Sequence, residues 1–220
     1  MQELVINLDH RTDRLRRFRE WNNRAERLPA VHWQHPTEPR PRWWSNPRSW
    51  ACMLSHAQVW CTITERALIF EDDAVPLVDD WREQTEGLLR YTCDVLYLGG
   101  QLLRGDVNPP VVAGRDALVP WNVNRAHAYV ITPECARWLG GTLLARARHD
   151  EWPWRCHFDH AIGEMTQLGA LDVRVPRRWL ITQRAGKSDV AHCHYSRDFS
   201  WDHPEKILEN STVQVGRSVV

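Results

Sequence analysis

Ala67-Leu-Ile-Phe70, followed at once by Glu71-Asp72-Asp73 and then Ala74-Val-Pro76, decides the reading of this chain. The four apolar residues read as a buried strand. Three adjacent carboxylates repel one another and gain nothing at the end of such a strand, so something positive is expected to neutralise them. Hard divalent cations such as Mg²⁺ or Mn²⁺ favour carboxylate oxygens. A diphosphate whose charge must be balanced as it departs is the natural other half of such a site. An exposed acidic turn is the plainer reading of an acidic triplet in general; the buried strand in front of this one argues against it. Asp73 is the expected metal ligand. Glu71, two residues back on the same side of an extended chain, is set to bind ribose or a metal-bound water. Asp72 lies between them, beside the nucleotide.

On either side of that run, strand and helix signals alternate. Leu4–Leu8 reads as a buried strand, Thr12–Arg24 as a helix with Thr12 or Asp13 as cap, and Leu28–Trp33 as a second strand. Residues 34–48 hold four prolines and no periodicity, so they form a loop. Ser49–Glu65 has helical apolar spacing, residues 79–90 read as a helix, and Asp94–Leu98 as a strand closed by Gly99-Gly100. After an irregular stretch over 101–116 come a strand at Ala126–Ile131, a helix from Pro133, a short helix at Phe158–Leu168 and a strand at Leu171–Val175. The tail after about Asp202 is polar and loosely specified. Such alternation predicts an α/β fold, a mainly parallel sheet with helices on both faces. Ligands bind beyond the carboxyl ends of such strands, which is where the acidic triplet falls.

At 220 residues the chain is expected to be one domain over 1–202, with a donor half at about 1–100, an acceptor half at about 101–202 and a tail over 203–220. No apolar run approaches the roughly 20 residues of a membrane span. The N-terminus starts directly with strand-like sequence and lacks the basic, apolar and small-residue regions of a leader, so a cytoplasmic location with reduced thiols is expected. The six cysteines contain no Cys-x-x-Cys pair, which agrees. Formal net charge is zero, against a general nucleic-acid coat but not against a local basic patch. Lys187 and Lys206 are the only lysines among 28 basic residues; the remaining arginines offer planar forks for phosphate, or simply reflect a GC-rich coding sequence.

An ordered series of short motifs now resembles the family 25 glycosyltransferases, the group that includes lipopolysaccharide-decorating and collagen-galactosylating enzymes. The series is Val5-Ile-Asn-Leu-Asp-His-Arg-Thr-Asp-Arg-Leu15, Ala51-Cys-Met-Leu-Ser-His56 with Val59-Trp60, Ala67–Ala74, Val95–Gly99, Ala128–Ile131 before Ala136, Phe158-Asp159, and finally Ile181-Thr-Gln183 with Ser188-Asp189. The resemblance implies a GT-A-like, Rossmann-type fold, a nucleoside diphosphate sugar donor (usually a UDP-sugar) and inversion at the anomeric carbon. It carries the donor site onto Asn7, Arg11, Arg14, Ser55, His56, Gln183 and Ser188, with Asp189 beside them. Arg11 and Arg14, three apart on one helical face, also suit phosphate physically. Asp159 matches the family's late aspartate, and an inverting transfer needs a base on the acceptor hydroxyl; Asp150, Glu151 and Glu164 stay open for that role. In GT-A enzymes a C-terminal histidine often completes the metal shell, and His192 and His194 both stand where it is expected.

The proline- and tryptophan-rich loop 34–48 departs from the family pattern and is expected to meet the acceptor. That acceptor is a glycan or lipopolysaccharide, or else a hydroxymethylated base in DNA, for which Trp43 and Trp44 would fill the gap left by a flipped base. Trp50, Trp152 and Trp154 also fall near loops. Two further readings stand beside the enzyme: a catalytically idle module that binds sugar nucleotide or glycan, and a zinc protein built on His192-Cys-His194 and Cys156–His160.

Overall fold

The structure is a computed structural model, and it describes residues 1–41, 44, 46–148, 157–187, 189, 194, 195, 198, 199 and 201–217. In chain order the elements are β1 (Gln2–Asn7), α1 (Thr12–Arg19), β2 (Glu26–Pro29), α2 (Pro47–Thr62), β3 (Ala67–Glu71), β4 (Ala74–Pro76), α3 (Trp81–Leu88) and β5 (Val95–Tyr97). They continue with β6 (Gln101–Leu102), β7 (Val111–Val112), β8 (Ala117–Val119), β9 (Val123–Asn124), β10 (Ala128–Ile131) and α4 (Pro133–Arg148). The last are α5 (Phe158–Gln167), β11 (Val173–Pro176), β12 (Ile181–Gln183), β13 (Gly186–Lys187), β14 (His194–Tyr195) and α6 (Pro204–Arg217).

Eight strands form the central sheet in the order β2-β1-β3-β10-β5-β11-β8-β7. Six of them share one direction, while β10 and β8 run against it. The fold is therefore the expected α/β class with a mostly parallel sheet. Strands from before and after residue 100 share this one sheet.

Strand alternation sorts the apolar side chains into two layers. Leu4, Ile6, Ala67, Ile69, Val95, Tyr97, Tyr129 and Ile131 face one way and pack on α2, α4 and α5 through Trp50, Trp60, Leu139, Phe158 and Ile162. Val5, Leu68, Phe70, Leu96, Leu98, Ala128 and Val130 face the other way and pack on α1 and α3 through Phe18, Trp81 and Leu88. Both strand faces are covered, which is why these strands read as continuous apolar runs.

Several expectations are corrected. The α1 N-cap is Arg11, without a side-chain cap bond, rather than Thr12 or Asp13, and the helix ends at Arg19. Here α2 begins at Pro47, capped by Asn46, whose side chain accepts from the backbone N–H groups of Arg48 and Ser49. The region 101–116 contains β6 and β7. The C-terminal segment is not loose: α6 opens at Pro204, and Leu208 packs against the core. Among the described residues no helix is long and apolar enough to cross a membrane.

Candidate active site

The site lies at the carboxyl ends of β1 and β3, neighbours in parallel register with Ile6 opposite Glu71. Asn7, the last residue of β1, is buried and reaches across to the acidic run. Its amide donates to Asp72 Oδ2 at 2.7 Å and to the Arg11 carbonyl at 3.0 Å, and its own oxygen accepts from Arg27 Nε at 3.1 Å. Arg14, on α1, donates to Asp72 Oδ1 at 2.8 Å and stands 3.6 Å from both Asp73 Oδ2 and Asp189 Oδ2. Burial opposes its charge, but Asp72 and Asp73 outweigh burial, and its pKa is raised. Arg11 pairs with Asp13 and Asp189. Both arginines thus reach the site, and both engage carboxylates of the protein. Asp189, which the resemblance placed beside the donor with Gln183 and Ser188, closes this cluster.

The three acids of the triplet have different partners. Asp72 is held by Asn7 and Arg14. Glu71 accepts from His56 Nε2 at 3.3 Å. The other nitrogen of that ring, Nδ1, lies 2.8 Å from the Tyr129 hydroxyl, which also accepts from Trp60 Nε1 at 2.9 Å. With Nε2–H directed at a carboxylate, Nδ1 accepts the Tyr129 proton. The direction of the whole chain is then fixed from Trp60 through Tyr129 and His56 to Glu71. Burial works to raise the pKa of Glu71, but the His56 hydrogen bond, with His127 and Arg14 nearby, holds the carboxyl below the usual range.

Asp73 is the unbalanced member. Pairing of β4 with β12 sets Gln183 opposite Ala74, so Gln183 Nε2 donates to Asp73 Oδ2 at 2.9 Å. Its Oδ1 is buried and has no hydrogen-bond partner among the described residues. Burial first, and then repulsion from Glu71 and Asp72, pushes its pKa up to about 7. A buried carboxylate oxygen lacking a donor, in a cluster with excess negative charge, is what a hard divalent cation would satisfy.

Two hollows meet at this cluster and share Arg14, Cys52, Glu71 and Asp189 as lining. One, of about 620 Å³, is walled by Ile6, Leu8, Ala30, Val31 and Trp33, with the Arg48 guanidinium 4.9 Å from the centre of the Trp33 ring. The other, of about 1050 Å³, is polar and contains Asp73, Arg125, His127, His157, Asp159, His160 and Gln183. Asp159 enters it from the first turn of α5, accepting from the Arg125 backbone N–H at 2.9 Å. Arg125 has a φ of 77°, a left-handed conformation that costs a non-glycine residue about 1–3 kcal/mol and points to a functional constraint at the wall of the hollow. His127, buried there and stacked on Trp201, has its pKa lowered to about 4 by burial and is neutral at neutral pH.

Of the remaining sequence candidates, Ser55 lines the apolar hollow, but its hydroxyl donates to the Ala51 carbonyl and accepts from the Val31 N–H. Glu164 is not among the residues lining the polar hollow. Trp44 and Trp50 are buried core residues that pack edge to face. Trp43, Asp150, Glu151, Trp152, Trp154, Cys156, Ser188, His192 and Cys193 lie outside the described residues, and of His194 only its place in β14 is described. Reading the sequence missed Trp33, Arg48, Arg125 and His127, and gave Cys52 no role although it stands four residues before His56 on one helix. His157 had been weighed only as part of the Cys156–His160 cluster of the zinc reading.

No protein-family model and no curated protein matches the chain. Among solved structures it is similar to mannose-1-phosphate geranyltransferase from Thermus thermophilus, with 15% identity and a TM-score of 0.39 over 79% of this chain and 58% of that one. It is similar also to an apo UDP-glucose pyrophosphorylase, with 8% identity and a TM-score of 0.42 over 91% and 68% of the two chains. A third likeness is to A197 from STIV, with 10% identity and a TM-score of 0.44 over 92% and 97%. The chain therefore spans less than two thirds of the Thermus protein.

Proposed function

We propose that this chain is an inverting, metal-dependent glycosyltransferase of the family 25 kind. In this reading it moves a sugar from a UDP-sugar to an acceptor hydroxyl on a glycan or lipopolysaccharide. The observation that carries it is the buried, unpartnered oxygen of Asp73, a residue that lines the same hollow as Asp159.

Asp73 would hold Mn²⁺ or Mg²⁺ through that oxygen, and the ion's role is to balance charge on the departing diphosphate. The apolar hollow takes the nucleoside, with Trp33 under Arg48 as the surface on which the base stacks. The polar hollow takes the sugar and the acceptor. Asp159 removes the acceptor's hydroxyl proton while that oxygen forms a bond to the anomeric carbon. The bond from that carbon to the diphosphate oxygen breaks on the opposite face, and the diphosphate leaves with its electron pair. Asp159 is suited to the part because its two oxygens accept from the backbone N–H groups of Arg125 and His160, which fixes the direction of the carboxylate.

The test is to incubate the protein with Mn²⁺ and a panel of UDP-sugars and to measure released UDP, with and without glycan acceptors. Metal-dependent release that disappears in Asp73→Asn is the expected result. Absence of release with every donor and acceptor, from folded protein, would exclude the proposal.

A further inference from the structure

Cys52, His56 and Glu71 form a second cluster of ligand atoms, distinct in chemistry from the carboxylate oxygens that Asp73 offers. Cys52 and His56 are four apart on α2 and project from one face of it. Glu71 meets them from the end of β3. His56 Nε2 lies 3.3 Å and Cys52 Sγ 4.0 Å from Glu71 Oε1, and the three ligand atoms all fall within 4.8 Å of one another.

We propose that this triad binds a soft divalent transition metal, Zn²⁺ being the natural occupant, with an open fourth position toward the nucleotide hollow. Tetrahedral zinc, with bonds of about 2.0–2.3 Å, separates its ligands by roughly 3.3–3.7 Å. The histidine–carboxylate pair already has that spacing, and the sulfur, 4.0 Å from the carboxylate oxygen, must move inward to complete the set. The histidine is prepared for ligation as well. On ligation the ring changes tautomer: Nε2 gives its lone pair to the metal and Nδ1–H donates to the Tyr129 hydroxyl oxygen, which also accepts from the Trp60 indole, and such an outer partner sets the ring orientation of a metal-bound histidine. Thiolate and imidazole select zinc over magnesium or manganese, whereas Asp73 offers oxygen alone. The open position follows from Cys52 and Glu71 lining both hollows. Zinc held there takes up the Glu71 carboxylate and stands between base and sugar, so it opposes the binding of a nucleotide in the apolar hollow.

The metal-binding half of this inference does not depend on the transferase reading, and its test reads metal directly. Metal-free wild-type protein is titrated with Zn²⁺ in excess Mg²⁺, and separately with Co²⁺ while its absorption spectrum is followed. One zinc per chain is expected, with a thiolate-to-cobalt charge-transfer band and intense tetrahedral d–d bands. Cys52→Ser should lose the charge-transfer band and bind zinc at least tenfold more weakly. Asp73→Asn and the double variant His192→Ala/His194→Ala should keep both. UDP binding to the wild type, followed calorimetrically, should weaken when zinc is present. A cobalt spectrum without the thiolate band in the wild type would overturn the assignment whatever the fate of the variants. So would zinc retained in Cys52→Ser but lost in the histidine double variant.

Discussion

The side-chain amide of Asn7 donates to Asp72 Oδ2 at 2.7 Å, bridging 65 residues of sequence to join the end of the first strand to the middle of the acidic triplet. With Arg14 on its other oxygen, Asp72 has both oxygens engaged, whereas Asp73 keeps one buried oxygen without a hydrogen-bond partner among the described residues. The two carboxylates are adjacent in sequence and opposite in role.

Asp72→Ala is expected to destabilise the protein by about 1–3 kcal/mol, because Asn7 loses a buried partner while Arg14 keeps Asp73 and Asp189. Denaturant unfolding measures this. Asp73→Asn should leave the fold intact and abolish transfer, and a large loss of stability in that variant would reverse the assigned roles.

Asp73 also ties stability to pH. Its pKa in the folded protein is about 7 against 3.8 for an ordinary aspartate. Its favourable contribution is complete below 3.8 and is lost as pH rises through 7, a change on the order of a few kcal/mol. Metal-free Asp73→Asn should therefore be more stable than wild type at about pH 8, with the two converging toward about pH 4, in thermal unfolding series at matched ionic strength.

His127 acts in the opposite sense. Its pKa is lowered to about 4, so its contribution is present above the ordinary value of 6.5 and is lost as pH falls through 4. The two slopes oppose each other in wild type. Removing the Asp73 slope should leave Asp73→Asn losing stability steadily on acidification from 6.5 to about 4, and a flat profile there would remove His127 as the cause.

Tyr129→Phe leaves Trp60 Nε1 and His56 Nδ1 buried without their shared partner. A cost of about 1–3 kcal/mol is expected. With the histidine no longer held, transfer activity should also fall, through Glu71 and not through the acceptor. Full activity in a destabilised variant would separate the relay from the chemistry.

Asp159→Asn keeps an oxygen for the Arg125 N–H but loses the base. A fall in kcat of about 10²–10⁴ is expected with the donor KM little changed. Steady-state kinetics at saturating acceptor decides it.

The layered fold was legible because both sheet faces are buried, which makes the strands continuous apolar runs with helical periodicity between them. The short strands β4, β8 and β9 were not, since two or three residues carry no period. The C-terminal helix was hidden by its polar surface, with Ile207 and Leu208 giving too narrow a stripe to weigh against it. At the site, the acidic triplet and its strand were readable from order alone. What order could not give was pairing: that Arg14 faces three carboxylates, that Asp189 returns to Arg11, and that Cys52 shares Glu71 with His56. Those contacts cross 15 to 178 residues of chain, and no local pattern encodes them.

Arg14 already serves as an internal counter-ion for the triplet, standing 3.6 Å from Asp73. An incoming dication must share that carboxylate with a cation tethered on the first helix, so the protein alone has little affinity to offer it. If the proposed reading holds, metal and nucleotide are expected to bind together, each displacing Arg14 from Asp73 for the other.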